Sequence, residues 1–180
     1  MESNVKAETP ARPWASDVFA ALKRLQIEQV AFVPDAGHTQ LILECHKDPS
    51  IQAVSLTTEQ EGVAMLAGAW LGGQRGALLM QSSGAGNCMN MLSLAQECRF
   101  PMLILVTMRG EWGEFNPWQI AMGQSTGKLL EASGCVVQRV DHAGEVAEVV
   151  FAGGQMSFST NRPVAILMGQ RIIGFKDWSK

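Results

Sequence analysis

Two carboxylates, Glu59 and Glu61, follow Thr57 and Thr58 at the head of an apolar, small-residue run over 62–71. Thr58 and Glu61 stand three apart, the spacing of a capping box, in which each side chain satisfies an open backbone N–H of a helix start. Negative charge in a first turn also suits the partial positive charge there. Helix capping is thus the plain role for both acids. The other chemistry open to a carboxyl in this position is proton exchange with a bound cofactor. The pair alone does not choose between the two.

Other groups carry weaker signals. Ser83-Gly84-Ala85-Gly86-Asn87 reads as a loop between a strand and a helix, able to cradle an anion on backbone N–H groups. It lacks the Lys of a P-loop and the third Gly of a dinucleotide fingerprint. A tight turn that brings helix and sheet close would also call for these glycines. Asp35, after Pro34, either faces a pocket or opens a turn. His38 and His46 have no Cys or carboxylate at ligand spacing, so solvent or cap roles are expected and no metal site. Ser82 and Ser83 lack a Gly-x-Ser-x-Gly elbow, which argues against a nucleophile. Arg109 and Glu111 read as a weak surface pair. The ten methionines are scattered and read as core filler.

The elements that position these residues follow from apolar patterning. A helix is expected over 14–25, with Ser16-Asp17 as its cap, then a strand over 29–33 stopped by Pro34. A helix over about 38–46 and a strand over 51–56 lead into the helix that begins near Glu59 and ends at Gly72-Gly73. Strands over 77–80, 102–107, 136–138 and 164–167 alternate with helices running to about 97, over about 123–133 and over about 144–158. A long loop, 109–119, carries two Trp, a Phe, Gly and charge, a composition more often functional than plain. About six short apolar strands alternating with helices define an α/β fold, an open, doubly wound parallel sheet with helices on both faces. Ligands in such folds bind beyond the carboxyl ends of the strands, where Asp35, Glu59, Ser82, Ser83 and Arg109 collect.

Composition narrows the class. The chain has 180 residues, 47% apolar and 17% charged, at net charge −3, which suits one core-rich domain. No Lys/Arg cluster marks a nucleic-acid surface. Four cysteines without CxxC pairing read as reduced thiols. Residues 1–12 read as a flexible polar leader without the apolar core of a signal peptide, and 13–180 as the folded domain. No run of ~18 apolar residues suggests a membrane span. A soluble, cytoplasmic protein is expected.

Four motifs in order, Val33-Pro34-Asp35, Glu59 with Gly68, Met80 to Asn87 continuing through Asn90, and Arg109-Gly110-Glu111, resemble the pyrimidine-binding domain of thiamine diphosphate enzymes. The resemblance covers about residues 14–170. It is strongest to the α subunit of sulfopyruvate decarboxylase and the matching half of phosphonopyruvate decarboxylase. It implies that Glu59 hydrogen-bonds the aminopyrimidine ring nitrogen, favouring the imino form that activates the thiazolium, while Glu61 keeps the cap. It implies cofactor contacts at Glu59, Ser83, Gly84, Gly86 and Asn87. Substrate contacts are implied at Asp35, Gln81, Ser82, Arg109 and Gln119, with the Arg109 fork suited to a distal anion. The family's Gly-Asp-Gly sequence, which serves the Mg²⁺–diphosphate site, does not occur here. A partner β subunit holding Mg²⁺ is therefore implied, in a hetero-oligomer with sites at subunit interfaces. The implied activity is decarboxylation of a 2-oxo acid such as sulfopyruvate or phosphonopyruvate to CO₂ and an aldehyde. Carboligation, another 2-oxo acid, or a non-catalytic scaffold role are the alternatives. Two departures bear on the substrate. Ala36 and Gly37 stand where relatives often have Ser or Gly, and Gln119 lies where some relatives carry a titratable His.

Overall fold

Strand and helix alternate along the whole computed structural model, which describes residues 13–175. The order is α1 (Pro13–Arg24), β1 (Ile27–Phe32), α2 (Thr39–Lys47), β2 (Gln52–Ser55), α3 (Glu59–Leu71), β3 (Arg75–Gln81), α4 (Ser82–Glu97) and β4 (Met102–Thr107). Then come α5 (Trp118–Ala132), β5 (Val136–Val140), a 3₁₀ turn (Ala143–Glu145), α6 (Val146–Thr160), β6 (Pro163–Met168) and α7 (Gln170–Ile173). The six strands form one parallel sheet in the order β2-β1-β3-β4-β6-β5. The expected α/β doubly wound architecture is the one observed.

Both faces of the sheet are covered. β4 and β6 are buried at every position, which is why they read as unbroken apolar runs. Side chains of a strand alternate between faces. Leu79, Leu103, Leu105 and Ile166 accordingly pack against α1, α2 and α6, while Leu78, Met80, Ile104 and Leu167 pack against α3, α4 and α5. The chain visits β2 on one side of β1 and then crosses to β3 on the other. That reversal leaves a crevice at the carboxyl ends of β1 and β3, the place where such sheets bind ligands.

Several boundaries differ from expectation. α1 begins at Pro13, a favoured first helical residue, and the Ser16 hydroxyl binds Glu44 of α2 instead of capping. Residues 82–87 are not a loop but the opening turns of α4, which starts directly after β3. α5 starts at Trp118, earlier than expected, where the Trp118 N–H donates to Asn116 Oδ1 at 3.1 Å. His38 is buried, not solvated, with Nε2 3.2 Å from the Leu105 carbonyl, while His46 is exposed at the end of α2. The leader over 1–12 lies outside the described residues. Among the described residues no helix is long and apolar enough to cross a membrane.

Candidate active site

Glu59 is the first residue of α3 and is only 8% exposed. Thr58 before it is extended, so the chain leaves β2 straight and turns into the helix at the acid. The expected capping box does not form, since the acid reaches one residue past the N-cap Thr58. Glu61 Oε2 accepts the N–H of Thr57 at 2.9 Å, but the Thr58 hydroxyl caps nothing and is buried without a partner among the described residues.

Glu59 turns away from the backbone towards α4. Its Oε2 accepts from Asn87 Nδ2 at 2.9 Å. The carboxyl lies against Gly84, where a Cβ would overlap Oε1, Cδ and Cγ. Residues 84 and 87 share a face because they stand three apart on one helix. Glycine opens the space and the amide fixes the carboxyl's orientation. Oε1 accepts no hydrogen bond among the described residues, which leaves an oriented, nearly buried oxygen for an external donor. Gly86 does not join this cluster, since its open side faces Met122 of α5.

A second cluster closes the carboxyl ends of β1, β3 and β4. Asp35 Oδ1 accepts from Gln81 Nε2 at 2.9 Å, and Oδ2 accepts from Thr107 Oγ1 at 2.6 Å. The Ser83 hydroxyl donates to Gln81 Oε1 at 2.9 Å. Gly37 is pressed onto this network, for a Cβ there would lie 2.6 Å from Asp35 Oδ2. Asp35 therefore faces a pocket of about 100 Å³, lined also by Thr107, Arg109 and Phe175. Ser82 is fully buried and does not reach the pocket. Its Oγ accepts the Arg109 N–H at 3.1 Å, and its carbonyl accepts from Thr126 Oγ1.

The 108–117 loop is organised by a residue the sequence reading passed over. Glu114 takes both prongs of Arg109, Nε at 2.7 Å and Nη2 at 2.6 Å, and also accepts the N–H groups of Gly110 and Asn116 and the Gln170 amide. Burial on its own would raise the Glu114 carboxyl. The Arg109 hydrogen bonds and the two N–H donors outweigh it and hold the group at about 2. The expected Arg109–Glu111 pair does not exist, because Glu111 binds Arg139 at 2.5 and 3.0 Å. Gly110, at φ +74°, makes the turn that folds the loop back and separates those two partners. Trp112 packs edge-on against Phe175, Phe115 lies under Arg109, and Trp118 points outward at 86% exposure. Gln119 Oε1 is buried with no partner among the described residues. Thr107, Glu114 and Gln170 carried no spacing signal, and Thr107 alone was marked, as a strand end.

Residues 14–119 match the sequence model of the family described as thiamine pyrophosphate enzyme, N-terminal TPP binding domain. The chain belongs to this family. Relatives of this TPP binding domain include the sulfopyruvate decarboxylase subunit alpha of Methanococcus maripaludis, 35% identical over 152 residues, covering 84% of this chain and 91% of that one. The sulfopyruvate decarboxylase subunit alpha of Methanothermobacter thermautotrophicus is 33% identical, covering 84% and 92%. Phosphonopyruvate decarboxylase of Streptomyces viridochromogenes is 34% identical over 162 residues, covering 88% of this chain and 41% of that protein. The TPP binding domain also superposes on a 2-oxoglutarate:ferredoxin oxidoreductase from Magnetococcus marinus with a TM-score of 0.69 at 13% identity, covering 89% of this chain and 29% of that one. That likeness is one of fold.

Proposed function

We propose that residues 13–180 form the pyrimidine-binding α subunit of a two-chain thiamine diphosphate-dependent 2-oxo acid decarboxylase. Its substrate would be a three-carbon keto acid with a second anionic group, of the sulfopyruvate or phosphonopyruvate kind, yielding CO₂ and an aldehyde. The observation that carries this reading is the Glu59 carboxyl, oriented by Asn87, seated against Gly84 and offering Oε1 to an outside donor. These residues fit an aminopyrimidine, whose ring nitrogen needs a carboxyl to share a proton with at a nearly dry position. When bound, thiamine diphosphate supplies the carbon nucleophile that attacks the keto group and takes up the electron pair left by CO₂.

The chain's own groups do the rest. Glu59 would meet the ring nitrogen through Oε1, and the Asn87 bond to Oε2 keeps the carboxyl from rotating away. Ser83 and Gln81 brace Asp35, whose carboxylate lines the small pocket beside Arg109. Arg109, with Nε and Nη2 bound to Glu114, has its remaining amino group for the substrate's distal anion. The orphan Gln119 Oε1 is a further candidate for a bound donor. Ser82 and Gly86 drop to supporting roles. Mg²⁺ and the diphosphate fall to a partner β subunit, a reading supported by the lack of Gly-Asp-Gly here and by relatives named as subunit alpha. A cytoplasmic location goes with it, supported by free thiols throughout.

The test is reconstitution with the candidate β subunit, reading CO₂ release from sulfopyruvate, phosphonopyruvate and pyruvate. Activity should require both chains, thiamine diphosphate and Mg²⁺. A pair that binds the cofactor yet releases no CO₂ from any of the three would overturn the substrate class, and a pair that binds no cofactor would overturn the whole reading.

A further inference from the structure

At the opposite edge of the sheet, where β1 and β3 begin, a cavity of about 500 Å³ opens between α1 and α6. It stands a full strand length, roughly 20 Å, from the Glu59 end. Its walls include Arg24, Arg75, Phe151, Phe158, Gln155 and Ser159. The volume lies within the usual range for small-ligand sites, about 300–1,000 Å³.

The two arginines are set up in the same way. The Arg24 guanidinium stacks 4.0 Å from the Phe151 ring centroid, and Arg75 lies 5.0 Å from that of Phe158. Phe151 and Phe158 are seven apart on α6, two turns along one face. Trp70 of α3 stacks on Phe158. Arg75 Nη1 also donates to the Leu25 carbonyl at 3.0 Å, which fixes that side chain further. Among the described residues no carboxylate lines the cavity and neither guanidinium has an acidic partner, which is also true of Arg99, Arg162 and Arg171. Two like charges lining one cavity make it attractive to an anion. The Leu25 bond fixes Arg75 beforehand, which lowers the ordering cost of binding one.

We infer that this cavity is a second ligand site, for a small tetrahedral dianion carried on an apolar or aromatic body, such as an aryl phosphomonoester. The charge of two guanidinia matches a dianion, the Gln155 amide adds a neutral donor, and Leu25 with the parts of the Phe151 and Phe158 rings that line the cavity meets the body. The inference stands apart from the proposed decarboxylase activity.

Calorimetric titration of the purified full chain with phenyl phosphate, benzoate and inorganic phosphate tests it. Phenyl phosphate should saturate with a Kd of about 1 mM or tighter, with the other two at least about tenfold weaker. Arg24→Ala and Ser159→Glu should each weaken phenyl phosphate about tenfold or more. Arg24 is exposed at the end of α1 against a ring, and Ser159 bonds carbonyls of its own helix, so both variants should stay folded at the titration temperature. Glu59→Gln should bind phenyl phosphate as the parent does. Absence of saturation up to about 10 mM, parent-like binding in both cavity variants, equal affinity for benzoate, or loss of binding in Glu59→Gln would each overturn the inference.

Discussion

Glu59 and Glu61 sit two residues apart, and about half a turn of helix sends their carboxyls to different tasks. Glu61 reaches back to the Thr57 N–H, while Glu59 swings onto α4 and meets Asn87 and Gly84. Spacing exposed the acids as a helix start, and the family resemblance singled out Glu59. The Asn87 contact was not legible, since it joins residues 28 apart through the packing of two helices. The cradle yields a prediction with a decisive sign. Gly→Ala inside a helix normally stabilises by roughly 0.5–1 kcal/mol. Gly84→Ala should instead destabilise by about 1–3 kcal/mol, because the added methyl overlaps the Glu59 carboxyl and must displace it. Urea unfolding of the chain reads this directly, and a stabilised variant would show that the carboxyl does not depend on Gly84.

The element between β4 and α5 shows how far a loop's contacts can differ from its appearance. Its charges and aromatics were visible in the sequence, but Arg109 was matched with the wrong acid. The right one, Glu114, is chosen by the Gly110 turn and by Gln170, a residue 56 positions on in a short helix that no pattern announced. The Gly-rich start of α4 was read as a loop because glycine is a poor helix former, whereas close approach to Glu59 requires glycine there. The loop carries an acid-dependent share of stability. Glu114 is held at about 2, below its ordinary value near 4.5. The folded-state value is depressed, so the contribution is full above about pH 4.5 and is lost as pH falls towards about 2. Glu114→Gln should cost about 2–4 kcal/mol at pH 7 and should show a weaker loss of stability between pH 5 and pH 2 than the parent. Parallel pH profiles for the two proteins would contradict the role given to this carboxylate. In a reconstituted pair, the substrate role proposed for Arg109 predicts that the same variant raises KM for a substrate with a distal anion more than it lowers kcat, since Glu114 binds the Arg109 fork.

At the scale of the molecule, apolar runs marked the strands, most strongly β3, β4 and β6, which the sheet buries on both faces, while the edge strands β2 and β5 stay partly exposed. Strand order was not legible. It depends on which side of β1 each crossover returns, and no residue pattern states that. Burial also sorts the thiols. Cys45, Cys88 and Cys135 are pushed up to about 12, chiefly by desolvation, with Glu44 and Asp48 adding to Cys45 and Glu59 to Cys88. Cys98 is exposed. A thiol reagent at pH 8 should modify one cysteine quickly in the native chain and the other three only on unfolding, and rapid native labelling of Cys88 would mean that the α3–α4 layer opens next to Glu59. The account as a whole rests on that acid acting on a cofactor shared with a second chain. The most direct measurement is CO₂ release by the reconstituted pair carrying Glu59→Gln, with assembly confirmed by size-exclusion chromatography. The account predicts an intact complex with activity lowered about 10²-fold or more. An intact complex with unchanged activity would contradict it.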